Sequence, residues 1–390
     1  MEKIWANSGD SHILEPDDVL YRDMAPGLAE RMPRAEKSED GKWEDIHVDG
    51  KVIRRRLPKP IQEGELAGMA FVDALMRPPG ARDTRARLAD LDHEGIWGEV
   101  VYPSLTLWNT FIDDPALARE AARAINDWTA SEVLAVSDRL VPTAQLSLRR
   151  IDDAVTELQR AVGLGFKAVF IPTGPPAGEP PFHTNHWEPL WAAAAEADMV
   201  LSVHIGTDSE AAANSTTGPG GFDVLRYKGP GGAILNYVDT TWTGQKIACQ
   251  LVACGALDRH PRLRLLVSEG GAAWVPFVGD RMNEAFRQHS FAISPKLSRS
   301  PKEILFDQVY ASFQHDETAV AAMTAMGYQN VMWGSDYPHI EGTFGHTQEV
   351  LHGLFEDQDE AVRRRITVES FLDLFPHVGY PPKEAEQIGD

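Results

Sequence analysis

From about residue 82 onward, two regular patterns of apolar and polar positions follow one another along the chain. Stretches with apolar residues every three or four positions, such as "RDTRARLADLDHEG" and "IDDAVTELQRAVGLG", predict amphipathic helices. Short runs that are apolar on both faces, such as "WGEVVYP", "FKAVFIP" and "MVLSVHIG", come after helices and predict buried strands of a parallel sheet. The pattern therefore predicts repeated strand–helix units.

The number of these units favours a closed barrel. If "KIWANSGDSH" is the first strand, the chain carries about eight units, the number that closes a TIM (β/α)8 barrel of the α/β class. An open doubly wound sheet is the alternative, but it normally has fewer units, and no GxGxxG follows the first strand. We expect one barrel over residues 1–390.

Residues 20–80 interrupt the alternation. They are rich in charge and proline, and "IHVDGKVIRR" places an Asp-Gly turn between two alternating runs, which predicts a β-hairpin. We interpret 20–80 as an insertion after strand 1 that caps the active site. Two "GPGG" runs, at 218–221 and 229–232, favour a flexible lid over a phosphate-binding loop, because no Lys-Ser/Thr follows them.

Charge and composition restrict the possible partners. The formal net charge is −21, which disfavours nucleic acid and anionic membrane surfaces. No apolar stretch is long enough to span a membrane, and the N-terminus lacks a secretory signal pattern. The two cysteines, Cys249 and Cys254, form no CxxC motif and predict reduced thiols. We expect a cytoplasmic protein.

Side chains that bind metals recur where the predicted strands end, which in a barrel is where catalytic residues meet. They are Asp10, His12, Glu15, His204, Glu269, His315, Asp316, Asp336 and His339. Each histidine alone is also compatible with a structural hydrogen bond. Several carboxylates and imidazoles in one confined place need cations to be stable, and this mixture of ligands suits a first-row transition metal.

Four motifs, "DSHILEP", "SVHIG", "RHPRLRLLVSEGGAAWVP" and "MWGSDYPHIEGTF", resemble the amidohydrolase-related family that includes the aminocarboxymuconate semialdehyde decarboxylases. The resemblance implies that Asp10, His12, His204 and Asp336 bind the metal of a mononuclear zinc enzyme. It gives His339 either a catalytic role or a role in ordering a loop. The decarboxylases have a catalytic histidine where this chain has Glu269, and this difference argues against simple decarboxylation.

The signatures "DSHxxEP" and "EGGAxWVP" resemble a subset of that family, the TIM-barrel non-heme diiron monooxygenases of platensimycin and platencin biosynthesis. The resemblance implies two iron ions, with Glu269 and either Glu15 or His315 as the additional ligands. It also implies hydroxylation of a coenzyme A-linked, terpenoid-type substrate with dioxygen. Electrons would come from an external ferredoxin or reductase, because the chain has no flavin or nicotinamide motif.

Other roles for Glu269 remain open. It would be the general base of a hydrolase or decarboxylase with one zinc or manganese ion, in which Asp336 is both ligand and base. Alternatively, the Glu269 side chain has no catalytic role and only stabilises the N-terminus of the helix that begins near Ala272. Glu269, Asp336 and His339 are the predicted catalytic residues in the enzymatic interpretations, and relatives suggest a homodimer.

Overall fold

The computed structural model describes residues 2–16, 18–22, 24–39, 43–56, 78–207, 227, 229–339 and 341–382. The predicted lid run at 218–221 and part of the predicted cap, 57–77, lie outside the described residues. Within them, no helix is long and apolar enough to cross a membrane.

The strands follow the predicted pattern. In chain order they are β1 (Ala6–Ser8), β2 (His12–Ile13), β3 (Arg34–Lys37), β4 (Trp43–Val48), β5 (Lys51–Arg56), β6 (Ile96–Pro103), β7 (Leu140–Ala144), β8 (Ala168–Ile171), β9 (Val200–His204), β10 (Leu265–Ser268), β11 (Val309–Phe313) and β12 (Val331–Trp333).

Eight parallel strands form the barrel wall in the order β1, β6, β7, β8, β9, β10, β11 and β12. The short strand β2 follows β1 along the chain and also pairs with β6. The first and last strands meet through backbone hydrogen bonds. Gly9 N donates to Trp333 O at 2.9 Å, and Asp336 N donates to Asp10 O at 3.0 Å. The predicted TIM barrel is confirmed, and this seam brings two predicted ligands together.

Helices surround the barrel. They are Pro26–Ala29, Thr84–Glu94, Pro115–Thr129, Ile151–Leu164, Glu188–Glu196, Gly232–Ala253, Ala256–Arg259, Trp274–Gln288, Pro301–Gln308, Glu317–Thr324, Thr347–Phe355, Glu360–Arg364 and Ser370–Leu374. Local sequence sets several of their ends. Asp83 caps Thr84–Glu94 by accepting hydrogen bonds from Arg85 N and Ala86 N, and Ser300 forms a capping box with Glu303.

Apolar side chains form two separate layers. One fills the barrel interior, and it includes Val100, Tyr102, Val141, Phe170, Leu266 and Met332. The other lies between the strands and the surrounding helices, and it includes Leu140, Ala144, Leu201 and Leu265. Because side chains alternate along a strand, neighbouring residues enter different layers, and the inner ones lead up to the site.

The described part of 20–80 contains the predicted hairpin. Strands β4 and β5 pair antiparallel around Asp49 and Gly50, and β3 adds a third strand beside β4. Ile46 and Val48 of β4 pack in one apolar cluster with the helix Pro115–Thr129. The hairpin is confirmed, and its role as a cap stays a prediction.

Candidate metal centre

Four of the predicted ligands converge at the carboxyl end of the barrel. Asp10 lies between β1 and β2, His12 begins β2, His204 ends β9, and Asp336 follows β12. One ligand atom from each lies within 4.8 Å of the others. The Nε2 atoms of His12 and His204 are 2.9 Å apart, and each lies 3.5 Å from a carboxylate oxygen, of Asp336 and Asp10 respectively. We call these four residues the ligand group.

The ligand group fits a bound cation. All four side chains are buried, with relative exposures from 0% to 5%. Within the described residues, no backbone or hydroxyl group donates to the carboxylate oxygens of Asp10 or Asp336, and their polar neighbours are the rings of His12, His204 and His339. Buried carboxylates with too few donors are destabilising, whereas two imidazoles and two carboxylates are a normal ligand set for zinc or manganese.

Burial and neighbouring charges shift the pKa values of the ligand group. Burial lowers the pKa of His204, but the Asp10 carboxylate and then Glu269 outweigh this effect and raise it to about 10. Burial, His339 and His204 together lower the pKa of His12 well below its usual value. Burial raises the pKa of Asp336 to about 6, although His339 opposes this change. One imidazole of the pair therefore carries a proton that a metal ion would displace.

A buried ion pair fixes the position of His12. Arg87, fully buried on the helix Thr84–Glu94, donates from Nη1 to His12 O at 2.7 Å and pairs through Nε with Glu99 of β6. The guanidinium carbon of Arg87 also lies 4.6 Å from the centre of the Tyr337 ring. These contacts join the helix, β2, β6 and the loop after β12 beneath the ligand group.

Glu269 lies beside the ligand group. Its backbone has a left-handed φ of 62°, unusual for a residue with a side chain, and its N–H donates to Ser312 Oγ at 3.0 Å. Its Oε2 is 3.4 Å from His204 Nε2. Burial and the Asp336 charge raise the pKa of Glu269 to about 8, although His204 opposes them. The Glu269 carboxyl group therefore holds its proton more tightly than an exposed glutamate does.

His339 contacts two ligands. Its Nδ1 lies 2.8 Å from Asp336 Oδ1, and its ring stacks on that of His12 with centroids 4.0 Å apart. Burial lowers the pKa of His339, but the Asp336 carboxylate outweighs this effect and raises it to about 9. His339 is therefore placed to orient Asp336.

Glu15 and His315 have other partners. Both carboxylate oxygens of Glu15 accept hydrogen bonds from backbone N–H groups of Ser104, Leu105 and Thr106, and Thr106 Oγ1 donates a fourth. His315 Nε2 lies 3.1 Å from Glu341 O. Neither residue belongs to the ligand group. Glu15 instead ties down the loop that follows β6.

Sequence reasoning missed Tyr102. Its hydroxyl lies 2.5 Å from Ser202 Oγ and 2.7 Å from Ser268 Oγ, inside the barrel. The ring lies edge-on to His204, with centroids 5.0 Å apart. Tyr102 therefore forms part of the floor beneath the histidines. Its place near the end of the predicted strand "WGEVVYP" is the only signal that the sequence offers.

A cavity of about 660 Å³ opens beside Glu269. It is lined by Ile205, Gly206, Tyr227, Gly229, Gly232, Asn236, Tyr237, Thr240, Glu269 and Glu341. Burial raises the pKa of Tyr237, and the carboxylates of Glu269 and Glu341 raise it further. The cavity is large enough for a small organic molecule and reaches the proton-carrying carboxyl group.

Two curated relatives are decarboxylases. The chain is 30% identical to Decarboxylase orsB of Emericella nidulans over 224 residues, which are 56% of this chain and 63% of that protein. It thus matches less than two thirds of that relative. It is 25% identical to the Gamma-resorcylate decarboxylase of a Rhizobium species over 302 residues, 72% of this chain and 85% of that one.

Solved structures share the fold. An amidohydrolase from Mycobacterium avium subsp. paratuberculosis has a TM-score of 0.75 at 20% identity, and the match covers 96% of this chain and 100% of that one. A manganese-bound 5-carboxyvanillate decarboxylase from Novosphingobium aromaticivorans has a TM-score of 0.64 at 16% identity, with 95% and 97% covered.

These comparisons correct the functional expectation. The prediction of a diiron monooxygenase is wrong, because the two curated relatives described above are decarboxylases. Two iron ions have no support either, since the 5-carboxyvanillate decarboxylase structure described above contains manganese. An external ferredoxin or reductase was predicted only as the electron donor of the oxygenase, so this prediction has no remaining basis.

The comparisons agree on the wider family. The family model described as Amidohydrolase matches residues 103–370, which include His204, Glu269 and Asp336. Asp10 and His12 lie before this range, on the first strand of the same barrel. The chain belongs to the amidohydrolase family.

Proposed function

We propose that this protein is a metal-dependent decarboxylase of an aromatic carboxylic acid. The observation that carries the proposal is the ligand group, four buried side chains that could hold one metal ion, next to the Glu269 carboxyl group, whose pKa is raised by burial. The names of the relatives support the same reaction, and those that name a substrate indicate hydroxylated benzoic acids.

Asp10, His12, His204 and Asp336 would hold one manganese or zinc ion. When bound, the ion would hold the substrate carboxylate and stabilise negative charge as the carbon–carbon bond breaks. His339 keeps Asp336 in position through the contact between Nδ1 and Oδ1. Arg87 keeps His12 in position through its backbone oxygen.

Glu269 supplies the proton. Decarboxylation breaks the bond between the ring carbon and the carboxylate, releases carbon dioxide and leaves the electron pair on the ring carbon. That carbon must then take a proton, and the neutral carboxyl group of Glu269 donates it. Solvent in the cavity beside Glu269 returns the proton. A glutamate in place of the relatives' histidine is compatible with this step, because burial raises the pKa of Glu269 above that of an exposed glutamate.

The test is release of carbon dioxide by the manganese-loaded or zinc-loaded protein from 2,6-dihydroxybenzoate and 5-carboxyvanillate. In deuterium oxide the product should carry one deuterium at the carbon that lost the carboxylate. Turnover should be equal with and without dioxygen. Failure to decarboxylate any aromatic acid with either metal would refute the proposal.

The role of Glu269 has a separate test. Glu269→Gln cannot donate a carboxyl proton, so kcat should fall by about 10²–10⁴ while bound metal stays constant. The control is Glu341→Gln, which neutralises another carboxylate of the same cavity and should have a smaller effect. Equal losses in the two variants would contradict proton donation by Glu269.

A further inference from the structure

Three polar side chains follow one another at the end of β7, where the sequence reads "TAQLSL". Thr143, Gln145 and Ser147 alternate with Ala144, Leu146 and Leu148. We call the three polar residues the polar ladder. The apolar residues of the run all pack in the layer between the strands and the helices. Since side chains alternate along extended chain, the polar ladder faces the barrel interior.

The polar ladder starts at the level of the ligand group. Val141, two residues before Thr143, belongs to the inner layer and pairs in register with Val100 of β6. The same register sets Thr143 beside Tyr102, whose ring contacts His204. Gln145 and Ser147 then continue towards the carboxyl end of the barrel, where the substrate enters.

Every member of the polar ladder has an unused hydrogen-bonding atom. Thr143 Oγ1, Gln145 Nε2 and Ser147 Oγ are buried and have no partner among the described residues. Each residue is only 3% exposed. Gln145 is fixed through its backbone, because its N–H donates to Asn126 Oδ1 and its carbonyl accepts from Asn126 Nδ2. The backbone of Gln145 is thus held in place, while its side-chain donor has no partner within the described residues.

We propose that the polar ladder binds an oxygen substituent of the substrate, such as a ring hydroxyl or methoxy group. This inference rests on the proposed function, since it takes the acid group of the substrate to lie at the ligand group. Buried polar groups without partners call for an explanation, and three in alternate positions, on a chain segment that runs to the carboxyl end of the barrel, favour a bound ligand as that explanation. The amide and the two hydroxyls are uncharged, which suits a neutral oxygen.

The experiment measures binding of benzoate, 2-hydroxybenzoate and 2,6-dihydroxybenzoate to the manganese-loaded protein by calorimetry. Gln145→Leu and Thr143→Val remove hydrogen-bonding groups with little change in shape. Each should weaken the hydroxylated acids about fivefold to tenfold, as expected for loss of one neutral hydrogen bond, and leave benzoate unchanged. Equal weakening of all three acids, or of none, would overturn the proposal.

The control is Trp191→Phe. Trp191 Nε1 is also buried and without a partner in the described chain, but the residue lies in the outer layer on the helix Glu188–Glu196. This variant should bind all three acids as the wild type does.

The melting temperature of the ligand-free protein gives a readout that does not depend on decarboxylation. Gln145→Leu and Thr143→Val should melt at or above the wild-type temperature, because an apolar group replaces an unpaired polar one. A lower melting temperature would show that the donors stabilise the fold and would overturn the inference. Failure of the wild type to bind any of the acids would instead count against the proposed function.

Discussion

Metal binding should release one proton from the ligand group at about pH 7. The perturbation is the addition of Mn²⁺ or Zn²⁺ to the metal-free protein. The raised pKa of His204, about 10, means that this imidazole is protonated at neutral pH, and it must lose that proton to bind a metal. Asp336, with a pKa of about 6, is already mostly ionised at about pH 7.

The magnitude follows from the pKa of His204. From about pH 7 to a pKa of about 10 is three units, so deprotonation opposes metal binding by about 4 kcal/mol at neutral pH. Since the proton is bound only in the metal-free state, the association constant should rise about tenfold per pH unit. The rise should stop above the pKa of His204.

The assay is isothermal titration calorimetry in two buffers with different ionisation enthalpies, because the difference in measured heat counts the protons released. About one proton should be released by the wild type. Glu269→Gln should also release about one, because in the proposed reaction Glu269 keeps its proton when the metal is bound. Release of two protons by the wild type and one by Glu269→Gln would show that Glu269 loses its proton when the metal binds. Release of no proton by the wild type would show that His204 is not protonated in the metal-free protein.

Three further predictions concern residues around the ligand group. Glu15→Gln should lower the free energy of unfolding by about 2–3 kcal/mol, measured by urea denaturation, with metal content unchanged, because an amide cannot accept all four hydrogen bonds of the carboxylate. Arg87→Met should cost about 3–5 kcal/mol in the same assay, since it leaves the Glu99 carboxylate buried without its partner, and Arg87→Met combined with Glu99→Gln should recover part of the loss. Glu269→Gly should have a higher melting temperature than Glu269→Ala, because φ at this position is 62° and glycine adopts left-handed backbone without strain. Glycine normally destabilises a protein relative to alanine, so the reverse order would show that the backbone at this position is not strained.

Sequence reasoning located the ligand group because its members occupy equivalent positions. Asp10, His12, His204 and Asp336 each follow or end a strand of a parallel barrel, so topology alone brings them to one place. Strand alternation and strand count placed nine candidate residues at strand ends, and the family resemblance selected these four from them.

Other roles depend on contacts that the sequence pattern does not encode. Glu15 stands in the same strand-end motif as His12, but its partners are backbone donors 89 to 91 residues away, after β6. The proton-carrying character of Glu269 comes from its burial next to Asp336, and neither is readable from "SEGG". The sequence therefore identified carboxylates at the site without distinguishing ligand, loop anchor and proton donor.

Several groups with a conformational or solvation cost lie at the carboxyl end of the barrel. Glu269 and Asp336 both have left-handed backbones, with φ of 62° and 54°. The carboxylate oxygens of Asp10 and Asp336 are buried with histidine rings as their polar neighbours, and the polar ladder adds unpaired groups within the described chain. Each such feature costs about 1–3 kcal/mol, and packing alone would select against it. A cation at the ligand group and an oxygenated acid beside it would supply partners for these carboxylates and for members of the polar ladder. The same residues that weaken the unliganded fold would then be those that bind metal and substrate.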